Sequence, residues 1–172
     1  MKRCDVTELV ETYSDMVMRI AYQHCFNKSD SEDITQEVFI RLMDHISSLK
    51  NDRERIKAWL IRVTVNLCRD YNKSARYRMQ TPLDEGAEEG FHWEDDEREF
   101  WDALKKLRPV YRTVLYMFYF EGYKIREIAR ILGMKENTVS SALRRARMEL
   151  KDILTEGDDA LWKKNIAVCS KK

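Results

Sequence analysis

Apolar residues recur along this chain at three- and four-residue steps, the period of helices that bury one face. Val6, Leu9, Val10, Tyr13, Val17, Ile20 and Ala21 share one stripe over residues 5–24 and predict an amphipathic helix. The polar run NKSDSED that follows reads as a turn, with Ser29 or Ser31 available to cap the next helix. That helix is predicted over about residues 30–47, with Ile34, Val38, Phe39, Leu42 and Ile46 as its buried arc. After the polar connector SLKNDRE, a long third helix from Ile56 to about Met79 turns Ile56, Leu60, Val63, Leu67 and Tyr71 inward.

Periodicity breaks over residues 80–95, QTPLDEGAEEGFHWED, where Pro82, Gly86, Gly90 and a run of acids predict a flexible linker. Two readings of its acidity stay open: a soluble spacer, or an anionic strand able to occupy a nucleic-acid channel. From Arg98 the helical pattern resumes, with Phe100, Trp101, Leu104 and Leu107 on one face. Pro109 then stops that helix or opens the next at its first turn. Val110 to Phe120 is densely apolar and aromatic, enough to supply a core and to leave a residue or two for a protein-binding patch, and Gly122 closes it. The tail over residues 155–172 has no strong pattern; a short helix around Leu161 and Trp162 or no ordered structure fits equally.

The sharpest local pattern runs from Tyr123 to Leu150. Ile125, Ile128, Ala129 and Leu132 make one apolar face, and Val139, Leu143, Ala146 and Leu150 make a second. Gly133 stands between them, where a left-handed backbone costs little. Small Ala129 precedes it and permits a close crossing; β-branched Val139 follows and fills the angle. Those steric positions together mark a helix-turn-helix, against the plainer alternative of a helical hairpin with a solvated basic face. The second helix keeps Asn137, Ser140, Ser141, Arg144, Arg145 and Arg147 for base edges and phosphates. The fold class expected is therefore all-α: two small helical domains, residues 1–79 and 96–154, joined by the acidic linker.

Composition adds distribution more than totals. The 172 residues carry 31 Lys and Arg against 30 Asp and Glu, a net charge of +1. Yet Lys50, Arg53, Arg55, Lys57, Arg62, Arg69, Lys73, Arg76 and Arg78 oppose only Asp52, Glu54 and Asp70 over one span, while acids crowd residues 84–99. Trp59, Arg62, Asn66, Arg69 and Lys73 fall on one stripe of the third helix, able to stack on unpaired bases and pair with phosphates; Trp59 is equally suited to the core. On the second helix Asp33, Gln36, Glu37, Ile40, Arg41 and Asp44 lie together, either a solvated face or a docking surface with an apolar centre.

Cys4, Cys25, Cys68 and Cys169 are scattered, without a CxxC pair, which fits free thiols in a reducing compartment. His24 beside Cys25 is at most half a metal site, and no metal or cofactor is expected. No nucleophile–base pairing or phosphate loop supports independent catalysis. The start MKRCDVTELV lacks a signal-peptide core, and Val114 to Phe120 is too short to span a bilayer, so the expectation is a cytoplasmic protein without membrane insertion.

Taken together, SEDITQEVFIRL at 31–42, AWLIRVTVNLCRDY at 58–71 and LRPVYRTVLYMFYFEGYKIREIARILGMKENTVSSALRRAR at 107–147 resemble the extracytoplasmic-function class of bacterial RNA polymerase sigma factors. The resemblance implies that residues 5–79 act as region two. Asp33, Gln36 and Glu37, with Ile40 and Arg41 beside them, would dock on the polymerase clamp. The connector with Lys50, Asn51 and Asp52 would capture a flipped minus-ten base, and Lys57, Trp59, Arg62, Asn66, Arg69 and Lys73 would border the melted strand. Residues 96–154 would act as region four, reading the minus-thirty-five duplex through Lys135, Glu136, Asn137, Thr138, Ser140, Ser141, Arg144, Arg145 and Arg147. Core polymerase, promoter DNA and an anti-sigma factor are the implied partners, with a monomer when free.

The chain departs from the family pattern at the recognition helix. Thr138-Val139-Ser140-Ser141-Ala142 stands where Thr-Val-Lys-Ser-Arg is usual, and Lys135 replaces a common capping serine, a loss of ~1 kcal/mol. Val65 and Lys73 stand where the family often has arginine. Two alternatives accompany the resemblance: a free-standing helix-turn-helix regulator and a sigma-like protein-binding adaptor.

Overall fold

The computed structural model describes residues 6–49, 52–78 and 102–155. Among them the regular structure is helical: α1 (Val6–Cys25), α2 (Lys28–His45), a 3-10 turn (Ile46–Leu49), α3 (Arg53–Arg78), α4 (residues 102–106), α5 (Pro109–Tyr119), α6 (Ile125–Leu132) and α7 (Glu136–Thr155). The expected all-α class is what the chain adopts. It divides into two compact units, Met1–Phe91 and His92–Lys172. The expected linker, residues 80–95, and the tail beyond Thr155 lie outside the described residues, as do Lys50, Asn51, Phe100 and Trp101.

In the first unit α1 packs against both α2 and α3. Leu9, Val17 and Ala21 of α1, Val38 and Leu42 of α2, and Ile56, Leu60 and Ile61 of α3 are wholly buried between them. The bend between α1 and α2 is far tighter than the polar run suggests. Only Phe26 and Asn27 separate the helices, and Phe26 takes a left-handed φ of 52°. Asn27, not Ser29 or Ser31, is the N-cap: its Oδ1 accepts from the Asp30 N–H at 2.8 Å. Ser31 instead turns its hydroxyl back to the Asn27 carbonyl at 2.6 Å.

Two further boundaries move for a local reason. Asp52 caps α3, its Oδ1 accepting from Glu54 N–H at 3.0 Å and Arg55 N–H at 3.2 Å, so the helix begins a turn earlier than its apolar pattern. Ile46 leaves the α2 arc for the 3-10 turn and is half-buried. The inward face of α3 is also wider than one stripe. Ile61, Thr64, Val65 and Cys68 are buried, whereas Val63, Leu67 and Tyr71 are only half-buried. Because α1 and α2 both pack on α3, adjacent sides of that helix are withdrawn from water. The Cys68 thiol is pushed well above the ordinary thiol range by its hydrogen bond with Cys25 and by burial, and both cysteines are free.

In the second unit α7 is the spine, with α5 and α6 packed on it. Val114 and Met117 of α5, Ile128 of α6, and Val139 and Ala146 of α7 are fully buried. Pro109 opens α5 at its first turn. Arg112 is buried at 4 % exposure, yet its Nη1 donates to the carbonyls of Lys105 at 3.1 Å and Leu107 at 2.8 Å. Those acceptors lie at and just after the end of α4, so the guanidinium satisfies carbonyls a helix end leaves open. Desolvation lowers its pKa to about 10. Gly122, in the turn after α5, takes a φ of 71°. In α6 it is Ile131 that is buried, while Ile125 and Leu132 are half-buried at its margins.

Candidate nucleic-acid and docking interfaces

The turn between α6 and α7 has the geometry its spacing implies. Gly133 sits in the left-handed region at φ 66° and ψ 34° and caps α6. The Met134 N–H reaches the Ala129 carbonyl at 2.9 Å, closing the helix end. Ala129 is 4 % exposed and Val139 not at all, so the small residue and the β-branched one both lie in the crossing. Glu127 accepts from the Lys124 N–H at 2.8 Å at the start of α6. At the start of α7 the Lys135 carbonyl receives the Thr138 and Val139 N–H groups, and a lysine side chain has no acceptor to add.

With Val139, Ala142, Leu143, Ala146 and Leu150 turned inward, α7 leaves Glu136, Asn137, Thr138, Ser140, Ser141, Arg144 and Arg145 exposed, next to exposed Lys135. Arg147 stands apart from that row. It is half-buried, its guanidinium 5.2 Å from the Phe118 ring centroid and 5.4 Å from that of Tyr119. Its Nε is buried without a hydrogen-bond partner among the described residues. Phe118 and Tyr119, which the aromatic run of α5 offered only as unspecified core or patch, therefore hold an arginine.

In the first unit, α2 exposes Asp33, Gln36, Ile40 and Arg41, with Glu37 half-buried beside them. Glu37 and Arg41 pair with each other at 2.7 Å across one helical turn. Ile40 is 55 % exposed, and Met43 at 58 % adds a second apolar side chain that the periodicity of the sequence did not single out. The signal was present, since Met43 follows Ile40 by three residues and shares no face with Val38 and Leu42.

On α3, Arg62, Asn66, Arg69 and Lys73 are exposed in one row, with Lys57 and Trp59 half-buried at its start. Lys73 approaches Asp70 at 3.7 Å, a loose surface pair. Asp52, grouped with the strand-contacting residues by resemblance, is occupied as the helix cap and pairs with Arg55 at 3.2 Å. His45, at the end of α2, lies against Trp59 with ring centroids 5.5 Å apart. No group of three metal-ligating side chains is found among the described residues.

The sigma-70 region 2 family model matches residues 9–78, and the sigma-70 region 4 model matches residues 97–150. The ECF RNA polymerase sigma factor SigE of Mycolicibacterium smegmatis is 32% identical over 159 residues, 87% of this chain and 61% of SigE. The RNA polymerase sigma factor SigV of Bacillus subtilis is 30% identical over 146 residues, 81% of this chain and 85% of SigV. The chain belongs to the ECF sigma factors. It spans about three-fifths of the length of SigE. Its fold resembles that of the sigma factor RpoE from Bartonella quintana, solved in complex with the anti-sigma factor NepR, with a TM-score of 0.71 at 19% identity over 88% of this chain and 97% of RpoE.

On this sigma factor, region two thus carries the acidic and apolar face of α2 and the basic row of α3. Region four carries the exposed row of α7. No helix among the described residues is long and apolar enough to cross a membrane.

Proposed function

We propose that this chain is the specificity subunit of a bacterial RNA polymerase holoenzyme, lending promoter recognition and duplex opening to a core that does the chemistry. The observation that carries the reading is the division of exposed chemistry among separate faces. Asp33, Gln36, Glu37, Arg41 and the bare Ile40 and Met43 on α2 suit a basic partner surface with an apolar socket. Arg62, Asn66, Arg69 and Lys73, opened by Trp59, suit a single strand. Lys135, Asn137, Thr138, Ser140, Ser141, Arg144 and Arg145 suit the edge of a duplex groove.

Within this reading Asp52 shapes the capture connector by capping α3, and Arg147 supports α7 through the aromatic rings of α5. Lys50 and Asn51 keep their proposed part in base capture. An anti-sigma factor is a fitting negative partner, since the structurally similar RpoE was solved with one. The chain acts in the cytoplasm as a monomer until it joins the core, has no enzymatic activity of its own and needs no cofactor.

Run-off transcription with bacterial core polymerase on a genomic promoter pool tests the proposal. Specific transcripts that require this chain are expected. If none appears and the free protein instead holds a palindromic duplex tightly, a stand-alone regulator replaces it. If it binds neither polymerase nor DNA, a protein-binding adaptor does.

A further inference from the structure

The end of α2 and the start of α3 meet through two rings. His45 and Trp59 lie against each other in a tilted arrangement, with centroids 5.5 Å apart and planes inclined by 32°. His45 is exposed and Trp59 half-buried, so the pair has one face in the unit and one outside it. The imidazole is fixed a second time, because its Nδ1 lies 3.0 Å from the Arg41 carbonyl oxygen. A carbonyl oxygen can only accept, so Nδ1 carries the proton. In the tautomer whose proton is on Nδ1, Nε2 is the ring's acceptor, and no hydrogen bond to it is found among the described residues.

The location matters as much as the tautomer. The pair brackets the connector between α2 and α3, and Trp59 leads directly into the row of Arg62, Asn66, Arg69 and Lys73. A strand running along that row would pass the two rings at its end, within reach of an unpaired base. A ring held in place with an acceptor on its edge offers something an aromatic ring alone lacks, a preference among bases. An exocyclic amino group can donate to that lone pair. Thymine has only an N3–H donor flanked by carbonyl oxygens, which would face the same lone pair and be repelled by it.

We propose that His45 is a specificity-determining residue of the melted-strand surface, its ring held against Trp59 and its Nε2 accepting from the exocyclic amino group of one unpaired base. The inference rests on the reading of α3 as the path of the unpaired strand, and extends it to a residue on α2. Arg41 takes part twice, its side chain paired with Glu37 and its carbonyl orienting the imidazole.

The test uses the full chain assembled with bacterial core polymerase and a pool of short single-stranded deoxyoligonucleotides randomised across the minus-ten segment. The unaltered holoenzyme is expected to disfavour thymine at one position by about tenfold, the size of a single base-edge contact. His45→Phe keeps a ring on Trp59 but removes the acceptor. Affinity for the pool is expected to stay within about threefold while discrimination at that position disappears. His45→Ala removes both ring and acceptor, and both affinity and preference should fall. Since His45 is exposed, both variants are expected to melt with the unaltered chain, and a thermal melt confirms that loss of preference is not loss of fold. An unchanged base preference in His45→Phe, or undiminished affinity in His45→Ala, overturns the role of His45 while leaving the region-two reading intact. An unaltered holoenzyme that retains no oligonucleotide overturns both.

Discussion

The hydroxyl of Tyr71 donates a hydrogen bond to the carboxylate of Asp30, tying the far part of α3 to the first turn of α2. Asp30 is thereby used twice, since its backbone N–H also donates to the Asn27 cap. Both residues are half-buried, so the carboxylate is partly shielded from water. Tyr71→Phe keeps the ring and deletes the hydroxyl. It is expected to destabilise region two by about 1–2 kcal/mol, seen as a fall of several degrees in its thermal midpoint. Affinity for minus-thirty-five duplex should not change; if it falls in parallel, the two units do not unfold independently.

Ile40 and Met43 are exposed in the free chain, so replacing them costs the fold little. Ile40→Asp is expected to weaken binding to core polymerase by about tenfold or more, the range of an interface anchor, without lowering the melting temperature. Gln36→Lys with Glu37→Lys should act in the same direction, and would also break the Glu37–Arg41 pair. Equal polymerase affinity for both variants would remove this face from the interface.

Arg144 and Arg147 differ by less than one helical turn in sequence but should fail differently. Arg144 is exposed, and Arg144→Ala is expected to lower duplex affinity and flatten its salt dependence by about 0.9 for each phosphate that is no longer neutralised. Arg147 is half-buried on Phe118 and Tyr119, so Arg147→Ala should cost about 1 kcal/mol of region-four stability by removing the cation–π interaction. Salt titration of binding and a calorimetric melt, run on both variants, separate the two effects.

Backbone positions give a cleaner measurement. At Gly133 an added Cβ would meet nothing within 4 Å, so Gly133→Ala isolates the cost of a side chain at φ 66°. That cost is expected to be about 1 kcal/mol, read from denaturant unfolding of region four. For Asp52, Ala should cost about 1 kcal/mol and Asn far less, because an amide oxygen still caps. If Asp52→Asn instead abolished minus-ten binding at full stability, the carboxylate would have a role in DNA contact beyond capping.

Among the described residues, the succession of helices, the helix-turn-helix and the exposed rows of α2, α3 and α7 were legible in the residue order, because each depends only on the spacing of side chains along one helix. An apolar stripe must be buried, and whatever lies opposite must face water. Gly133, Ala129 and Val139 were legible for the same reason, their constraint being steric and confined to a few consecutive residues. Placements that depend on a second element were not. Thr64, Val65 and Cys68 are buried because two helices close on α3 from adjacent sides. Arg147 leaves the basic row because α5 brings two rings beneath it, and Arg112 enters the core because the end of α4 supplies its acceptors. His45 meets Trp59 only once the 3-10 turn has folded α2 against α3. Periodicity along one chain segment decides which face turns inward; it carries no information about which neighbour, separated by tens of residues, will be waiting there.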